Sequence, residues 1–369
     1  MRATLTWTDN VPERDDIRNV CYDLAFNPEG TQLVAGVGTR VLVYDAMDGD
    51  LLHSLKGHKD AVYCIAYSKD GKRFASGSAD KNVIIWTSKA EGILKYAHDD
   101  SIQALAYNPV TQQLASATAS DFGLWSPEQK SVTKQKVASK VLCQAWMNDG
   151  QYLALGHYNG HVSIRDKAGV EKVLIEKSAQ VWCLTWNPNR YETYDVLAVG
   201  CFNGTISFYQ LSGAQLGKEV KLGYDPLSLS YTTDGEFLNV GGTNKKVQLY
   251  SKDGTFLGGT TEMDSWIWCV KTRPRHNYIA VGCEDGTIAV HQISFSTVHG
   301  LYRDRYAYRE NMTDVVVQNL LNEQKVRIKC RDCVKLIAMY KDRLAVQLTD
   351  RIVIYEVDNA NDSGNMSYR

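Results

Sequence analysis

The stretch Gly57–Trp86 reads GHKDAVYCIAYSKDGKRFASGSADKNVIIW, in which short apolar runs alternate with turn residues. The apolar run that ends at Tyr67 recurs at a nearly fixed interval along the chain. Its equivalent end positions, 39 to 45 residues apart, are Phe26, Tyr67, Tyr107, Trp146, Trp186, Tyr231 and Thr272. The closing residue recurs in the same way, at Tyr44, Trp86, Trp125, Arg165, Tyr209, Tyr250 and His291. Two independent anchors therefore agree on seven copies of one unit.

A period of about 40–45 residues that opens with Gly-His and closes with Trp is typical of WD repeats, in which each copy forms a four-stranded blade. Runs such as Val83–Trp86 are apolar throughout, which indicates strands that are covered on both faces. Face-to-face stacking of blades provides that cover. The sequence therefore predicts an all-β chain in which residues 1–293 form a seven-bladed WD40 β-propeller.

Turn residues and the amino terminus support a closed ring. Pairs such as Asn159-Gly160 precede the closing strands, and Asn244-Lys245 occupies the same place in another copy; two-residue hairpin turns of this kind need positive φ. Ala3–Trp7, which lies before the first copy, alternates like a strand. Since an unpaired edge would otherwise remain, we predict that it forms the outer strand of the last blade.

A set of hydrogen-bonding residues is complete only in the second copy, where it comprises His58, Ser76, Asp80 and Trp86. The third copy retains His98, Ser116 and Trp125, with a turn that is one residue shorter. A net hydrogen bond contributes about 1 kcal/mol. We therefore expect these sets to fasten blades, while apolar burial provides most of the stability.

Composition narrows the classes of function. The net charge of −1 does not favour nucleic acid as a partner, and no apolar run is long enough for direct membrane insertion. The nine cysteines fall largely in equivalent repeat positions, which indicates apolar packing of reduced thiols in a cytosolic protein. Cys330-Arg331-Asp332-Cys333 and the pair His157 and His161 lack further ligands at metal spacing. We predict no cofactor, no metal site and no catalytic residue.

Two groups of residues are candidates for contact with a partner. Three aromatic residues share one position early in the innermost strand, and they form either a binding rim around one mouth of the ring or packing between blades: Tyr63, Trp182 and Trp268. Four charged residues lie in loops that enter those strands, and they are either contact residues or plain solvated charges: Lys59, Asp60, Asp99 and Asp100. For both groups the structural alternative is the simpler one.

The repeat lapses after Ile293. Residues 294–324 are expected to form a connector, and residues 325–369 the first blade-like unit of a second, truncated propeller with a polar tail. One blade cannot bury both faces by itself. Either a second propeller begins here, or this unit leans on the first ring.

The chain resembles the amino-terminal part of the intraflagellar transport protein 122 family along essentially its whole length. The passages that carry the resemblance are Gly57–Asp60, Asp70–Lys81, Asp121–Ser131, Phe295–Tyr302 and Tyr306–Arg309. The passage from Phe295 onwards is the most diagnostic, because no generic WD repeat requires it.

The resemblance implies a non-catalytic scaffold of intraflagellar transport complex A. It implies roles in retrograde ciliary transport, cilium assembly and ciliary entry of membrane-protein cargo. The implied partners are other complex A subunits and cargo or its adaptors, and the implied locations are cytoplasm, cilium and basal body. The family carries two propellers followed by helical repeats, whereas this sequence stops inside the second propeller.

A substrate receptor or adaptor of a ubiquitin ligase, or of another cytosolic assembly, is the alternative function. Docking to such ligases requires Asp and Arg after the closing Trp. Here Trp86 precedes Thr87-Ser88 and Trp125 precedes Ser126-Pro127, so that docking box is absent.

Overall fold

The computed structural model describes residues 1–12, 18–126, 131–189, 195–356 and 367–368. They form two compact units. The first comprises Ala3–Gln248 and Gly259–Ile293, and the second comprises Met1–Arg2, Leu249–Gly258 and Ser294–Arg369. Part of the polar tail, residues 358–364, lies outside the described residues.

Seven antiparallel four-stranded sheets occur in the described residues up to Ser294. Blade one comprises β2 (Cys21–Phe26), β3 (Gln32–Val37), β4 (Arg40–Asp45) and β5 (Leu51–Lys56). Blade two comprises β6 (Val62–Tyr67), β7 (Arg73–Ser78), β8 (Asn82–Thr87) and β9 (Gly92–Ala97). Blade three comprises β10 (Ala104–Tyr107), β11 (Leu114–Ala117), β12 (Asp121–Ser126) and β13 (Ser131–Lys136). Blade four comprises β14 (Val141–Trp146), β15 (Tyr152–His157), β16 (His161–Asp166) and β17 (Glu171–Glu176).

The remaining three blades complete the ring. Blade five comprises β18 (Val181–Trp186), β19 (Val196–Cys201), β20 (Thr205–Gln210) and β21 (Gln215–Lys221). Blade six comprises β22 (Pro226–Tyr231), β23 (Phe237–Gly242), β24 (Lys246–Ser251) and β25 (Phe256–Glu262). Blade seven comprises β26 (Ile267–Thr272), β27 (Tyr278–Cys283), β28 (Thr287–Ser294) and β1 (Arg2–Asn10). The innermost strands contact one another in a closed circle, β2, β6, β10, β14, β18, β22, β26 and again β2.

The prediction of seven blades is confirmed, and so is the position of the amino-terminal strand. The sheet order β1-β28-β27-β26 places β1 outermost in blade seven. Trp7 of this strand is buried and stacks on Tyr44, with ring centroids 5.6 Å apart. Its indole N–H donates to the carbonyl of Ala46 over 3.3 Å. One strand therefore ties the last blade to the first.

The core consists of apolar layers between neighbouring blades. The layer at the junction of blades one and seven includes Leu24, Leu33 and Val290. The middle strands are buried on both faces, as in β3 and β8, which is the arrangement that their continuous apolar runs predict. The hairpin turns also follow the sequence, because Gly160 has φ +89° and Lys245 has φ +62°.

Residues after Ser294 form two further sheets in the second unit. The first is four-stranded and comprises β29 (His299–Tyr302), β30 (Arg305–Glu310), β31 (Asp314–Asn319) and β32 (Lys325–Lys329). The second has three strands in the described residues, namely β33 (Leu336–Tyr340), β34 (Arg343–Gln347) and β35 (Ile352–Glu356). The two sheets share one apolar core.

The prediction that residues 294–324 form a connector is wrong, because β29, β30 and β31 lie within that range. Lys325–Lys329 closes their sheet instead of opening a new one. The strands were missed because β30 mixes aromatic and basic residues without apolar alternation. Its Arg309 donates to the carbonyl of Val334 over 2.8 Å, so this basic residue fastens the second unit internally.

One face of the three-stranded sheet is apolar and exposed. Leu336, Tyr340, Ile352 and Ile354 are all more than half exposed and lie on the same face by strand register. Such a face is what a propeller blade presents to a neighbour. The residues after Ser294 thus form two blade-like sheets of a second propeller. No helix in the described part of the chain has the length and apolarity that a membrane span requires.

Candidate functional site

Four side chains of blade two form one chain of hydrogen bonds. The indole N–H of Trp86 donates to Ser76 Oγ over 2.9 Å, and Ser76 Oγ lies 2.8 Å from His58 Nε2. His58 Nδ1 faces both carboxylate oxygens of Asp80 at 3.2 Å. The structure therefore brings together the complete set that the sequence singles out.

The protons in this chain can be placed from its environment. Burial lowers the pKa of His58, although Asp80 acts in the opposite direction, so the imidazole is neutral at pH 7. With Nδ1–H donating to Asp80, Nε2 accepts the proton of the Ser76 hydroxyl. Burial alone would raise the pKa of Asp80, but the backbone N–H groups of Lys59 and Asn82 donate to its carboxylate and lower that pKa. Every donor in the chain has an acceptor.

Blade three builds a variant of the same chain. His98 Nδ1 lies 2.8 Å from Asp121 Oδ1, and its Nε2 lies 2.8 Å from Ser116 Oγ. Tyr96 donates its hydroxyl to Ser116 over 3.2 Å, while Trp125 Nε1 is buried with no partner among the described residues. Asp121 is not evident from the repeat pattern, because the shorter turn of this copy shifts it out of the position that Asp80 occupies.

The Ser76–His58–Asp80 connectivity resembles that of a hydrolase triad, but its setting differs. Ser76 is 0% exposed, and its Oγ already accepts from Trp86. A nucleophile must reach a substrate carbonyl while its base takes the proton, and this hydroxyl has no such access. The arrangement fastens the loop before β6 to β7 and β8.

A continuous arc of aromatic rings lies at the start of the inner strands. We call it the aromatic arc, and its members are Tyr63, Tyr22, Trp268, Trp182 and Phe202. Successive ring centroids in that order are 5.1, 5.2, 6.1 and 5.2 Å apart. The first four residues are partly exposed and Phe202 is exposed. The structure thus brings the three aromatic residues of the sequence analysis into one surface.

Two members of the aromatic arc were missed. Tyr22 is the second residue of β2, just as Tyr63 is the second residue of β6, so the repeat alignment contained the signal. Phe202 follows β19 and belongs to a different repeat position. Only the fold shows that it reaches Trp182.

The arc borders a cavity of about 540 Å³ at the centre of the ring. Its wall includes Asp23, Lys140 and Lys271, together with four thiols of the inner strands. Lys271 Nζ lies 3.3 Å from Asp23 Oδ1, so the Asp23 carboxylate balances the charge of this lysine. A pocket of 300–1,000 Å³ is of a size that accommodates a small ligand or a few side chains.

The predicted charged residues lie in the loops that lead into β6 and β10. Lys59, Asp60 and Asp99 are exposed, and Asp100 is partly exposed. Asp60 and Asp100 each accept the backbone N–H of the next residue, over 2.7 Å. Since these loops precede inner strands, their charges lie at the same end of those strands as the aromatic arc.

The cysteine thiols are poorly suited to nucleophilic attack or metal binding. All nine cysteines are free, and burial raises the pKa of Cys64, Cys183 and Cys269 in the cavity wall. A thiol with a raised pKa is a weak nucleophile and a weak metal ligand. Within the part of the chain that the structure describes, no group of three or more His, Cys, Asp or Glu residues could hold a metal ion.

A closed ring of seven four-stranded blades with a buried His–Ser–Asp–Trp chain defines a WD-repeat propeller protein. The family model described as IFT122 first beta-propeller matches residues 20–292, and the one described as IFT122 second beta-propeller matches residues 299–369. The chain belongs to the intraflagellar transport protein 122 family.

Individual relatives agree with this assignment. The chain is 60% identical to an intraflagellar transport protein 122 homolog of Mus musculus and 59% identical to that of Xenopus tropicalis. It is 50% identical to the homolog of Homo sapiens. Each alignment covers 100% of this chain but only 31% to 34% of the relative. The chain spans about one third of the length of these relatives.

Proposed function

We propose that the chain is part of a non-catalytic scaffold subunit of intraflagellar transport complex A. In this role it supports retrograde ciliary transport, cilium assembly and ciliary entry of membrane-protein cargo through protein–protein contacts. Its proposed locations are the cytoplasm, the cilium and the basal body. The observation that carries the proposal is the match to both propeller models of the family across nearly the whole chain.

The architecture supports a docking role. The ring is closed by a shared sheet, and the buried Ser76 hydroxyl is occupied by hydrogen bonds to His58 and Trp86. Such a ring presents rims and loops in fixed positions. We place the partner contacts at Lys59, Asp60, Asp99 and Asp100 in the loops, and at Tyr63, Trp182 and Trp268 in the aromatic arc.

The test uses the longer protein that contains this chain, tagged and recovered from ciliated cells. Co-purification of complex A subunits supports the proposal, and their absence from the wild-type sample overturns it. Recovery of a ubiquitin-ligase adaptor in their place would favour the alternative function.

A charge reversal locates the contact. Asp99→Lys is expected to lower the recovery of complex A subunits, because it inverts the charge of an exposed side chain in the loop before β10. Glu91→Lys is the matched control, since Glu91 is exposed but lies in the turn between β8 and β9. Equal recovery with both variants would contradict this placement of the contact.

A further inference from the structure

The aromatic arc has the chemistry of a cation receptor. Its rings come from β2, β6, β18 and β26 and from the residue after β19. The face of an aromatic ring is electron-rich and attracts a cation that lies within about 6 Å of the centroid. Tryptophan is the strongest such partner, and two of the five rings are Trp182 and Trp268. The arc is not sealed, because its members keep part of their surface in solvent.

The charges around the arc permit a cation to approach. Of the two lysines in the cavity wall, Lys271 is paired with Asp23 at 3.3 Å. Lys140 lies in the loop before β14 and lines the same cavity, but blade four contributes no ring to the arc. Glu284 is near enough to contribute to the raised pKa of Tyr22, after burial and Tyr63. Arg18 lies 3.6 Å from the Glu284 carboxylate and is largely exposed, and an ion pair in such a setting contributes little to stability.

Loops at the same end of the inner strands add further carboxylates. Asp60, Asp99 and Asp264 are exposed there, and they outnumber the one exposed lysine of the same loops, Lys59. The exposed Lys81 donates to the backbone carbonyl of Asp99 over 3.0 Å and not to its carboxylate. Carboxylates around a rim of π surface raise the local concentration of positively charged groups.

We propose that the aromatic arc receives a cationic side chain, arginine above all, from an extended segment of a partner protein. A planar guanidinium stacks on aromatic faces and is more weakly hydrated than an ammonium. The cavity of about 540 Å³ has room for such a side chain and its neighbours. This inference deepens the proposed function, on which it rests for the identity of the partner class, and it assigns a ligand chemistry to one end of the ring.

The first experiment compares two end-blocked peptides that differ only in charge, Gly-Ser-Arg-Ser-Gly and the same peptide with citrulline in place of arginine. Citrulline keeps the planar group but lacks the positive charge. The peptides are titrated into the purified chain while the indole N–H resonances are followed by NMR. We expect saturable shifts at Trp182 and Trp268 with the arginine peptide and at least fivefold weaker binding of the citrulline peptide. The indoles of Trp7 and Trp86, which are buried elsewhere, serve as internal controls and stay unchanged.

Equal affinity for the two peptides overturns the inference, and so does the lack of a saturable shift at the arc. The comparison uses the wild-type chain, so it does not depend on the folding of any variant. It also needs no complex A subunit. If the arginine peptide does not bind but complex A subunits still co-purify, only the proposed ligand chemistry is rejected. If the peptide binds but the subunits do not co-purify, only the proposed assembly is rejected.

The second experiment assigns binding to the rings. Trp182→Leu and Trp268→Leu are each expected to weaken binding of the arginine peptide about fivefold, which corresponds to about 1 kcal/mol of cation–π attraction. Trp266→Leu is the matched control, because Trp266 is 40% exposed and precedes β26 but does not line the cavity. Equal affinity in all three variants, each with a native thermal transition, would rule out the arc as the receptor.

Discussion

Lys271 of the last blade reaches Asp23 of the first, with Nζ 3.3 Å from Oδ1. The same carboxylate accepts the backbone N–H of Ile65 in blade two over 2.9 Å and the thiol of Cys269 in blade seven over 3.1 Å. One side chain therefore connects three consecutive blades across the point where the ring closes. Burial by itself would lower the pKa of Lys271, but the Asp23 carboxylate outweighs it and raises that pKa.

Replacing Lys271 by Met should destabilise the ring. The ion pair is only partly buried, with side-chain exposures of 38% and 18%, so we expect a loss of about 1–2 kcal/mol in the free energy of unfolding. Because the pKa of Lys271 is raised by folding, this contribution is complete below the unfolded value near pH 10.4 and fades above it. Denaturant titration at pH 7 measures the loss. Lys246→Met, in an exposed pair with Glu262, should change stability by less than about 0.5 kcal/mol, and equal losses in the two variants would contradict this role.

Two tryptophans in equivalent positions should respond differently to loss of the indole N–H. Trp86→Phe removes the donor to Ser76, whereas Trp125→Phe removes an N–H that is buried without a partner among the described residues. Both changes remove the same volume. We expect Trp86→Phe to cost about 1–2 kcal/mol more than Trp125→Phe, measured as the difference in the free energy of unfolding. A larger loss in Trp125→Phe would show that the bond to Ser76 is not a fastener.

The amino-terminal strand should contribute a large part of the stability of the ring. Trp7→Ala removes a buried ring that stacks on Tyr44 and donates to Ala46, so we expect a loss of about 3–5 kcal/mol. Leu5→Ala lies on the same strand, but Leu5 is 53% exposed and its loss should stay within about 0.5 kcal/mol. Chemical denaturation followed by fluorescence measures both variants. Similar small effects would mean that the strand is peripheral.

Mild acid should weaken the fold through its buried histidines. Burial lowers the pKa of four imidazoles, those of His58, His98, His157 and His291. The unfolded chain takes up protons near pH 6.5 while these rings stay neutral, so the free energy of unfolding falls as the pH decreases from about 7 to 5. Each histidine adds at most about 1.4 kcal/mol per pH unit.

A single substitution isolates one of these histidines. His98→Gln should flatten the dependence of stability on pH between 7 and 5, even though it lowers stability at neutral pH. His53→Gln, at an exposed position of β5, should leave the slope unchanged. Denaturant titrations at several pH values give both slopes, and parallel curves for wild type and His98→Gln would refute the assignment.

The sequence predicted the ring because each blade repeats its own turn and strand chemistry. Trp86 and its equivalents mark every copy, and Ala3–Trp7 has the alternation of an edge strand. The sequence did not reveal Asp23 with Lys271, since their contact depends on how two distant strands are rotated across the junction. The sequence pattern also did not predict β30, where Arg309 donates to the carbonyl of Val334, a contact that forms only in the folded unit. Local patterns report on neighbours along the chain, whereas these contacts join residues that the fold alone brings together.

The pairing of β1 with β28 has a consequence for biosynthesis. β1 cannot pair with its partner strand until residues up to Ser294 have been synthesised. Domains whose contacts span such long separations fold slowly and expose apolar surface meanwhile. The nascent chain must therefore carry β1 unpaired until β28 has been made, and it exposes apolar surface that chaperones can bind until the ring closes.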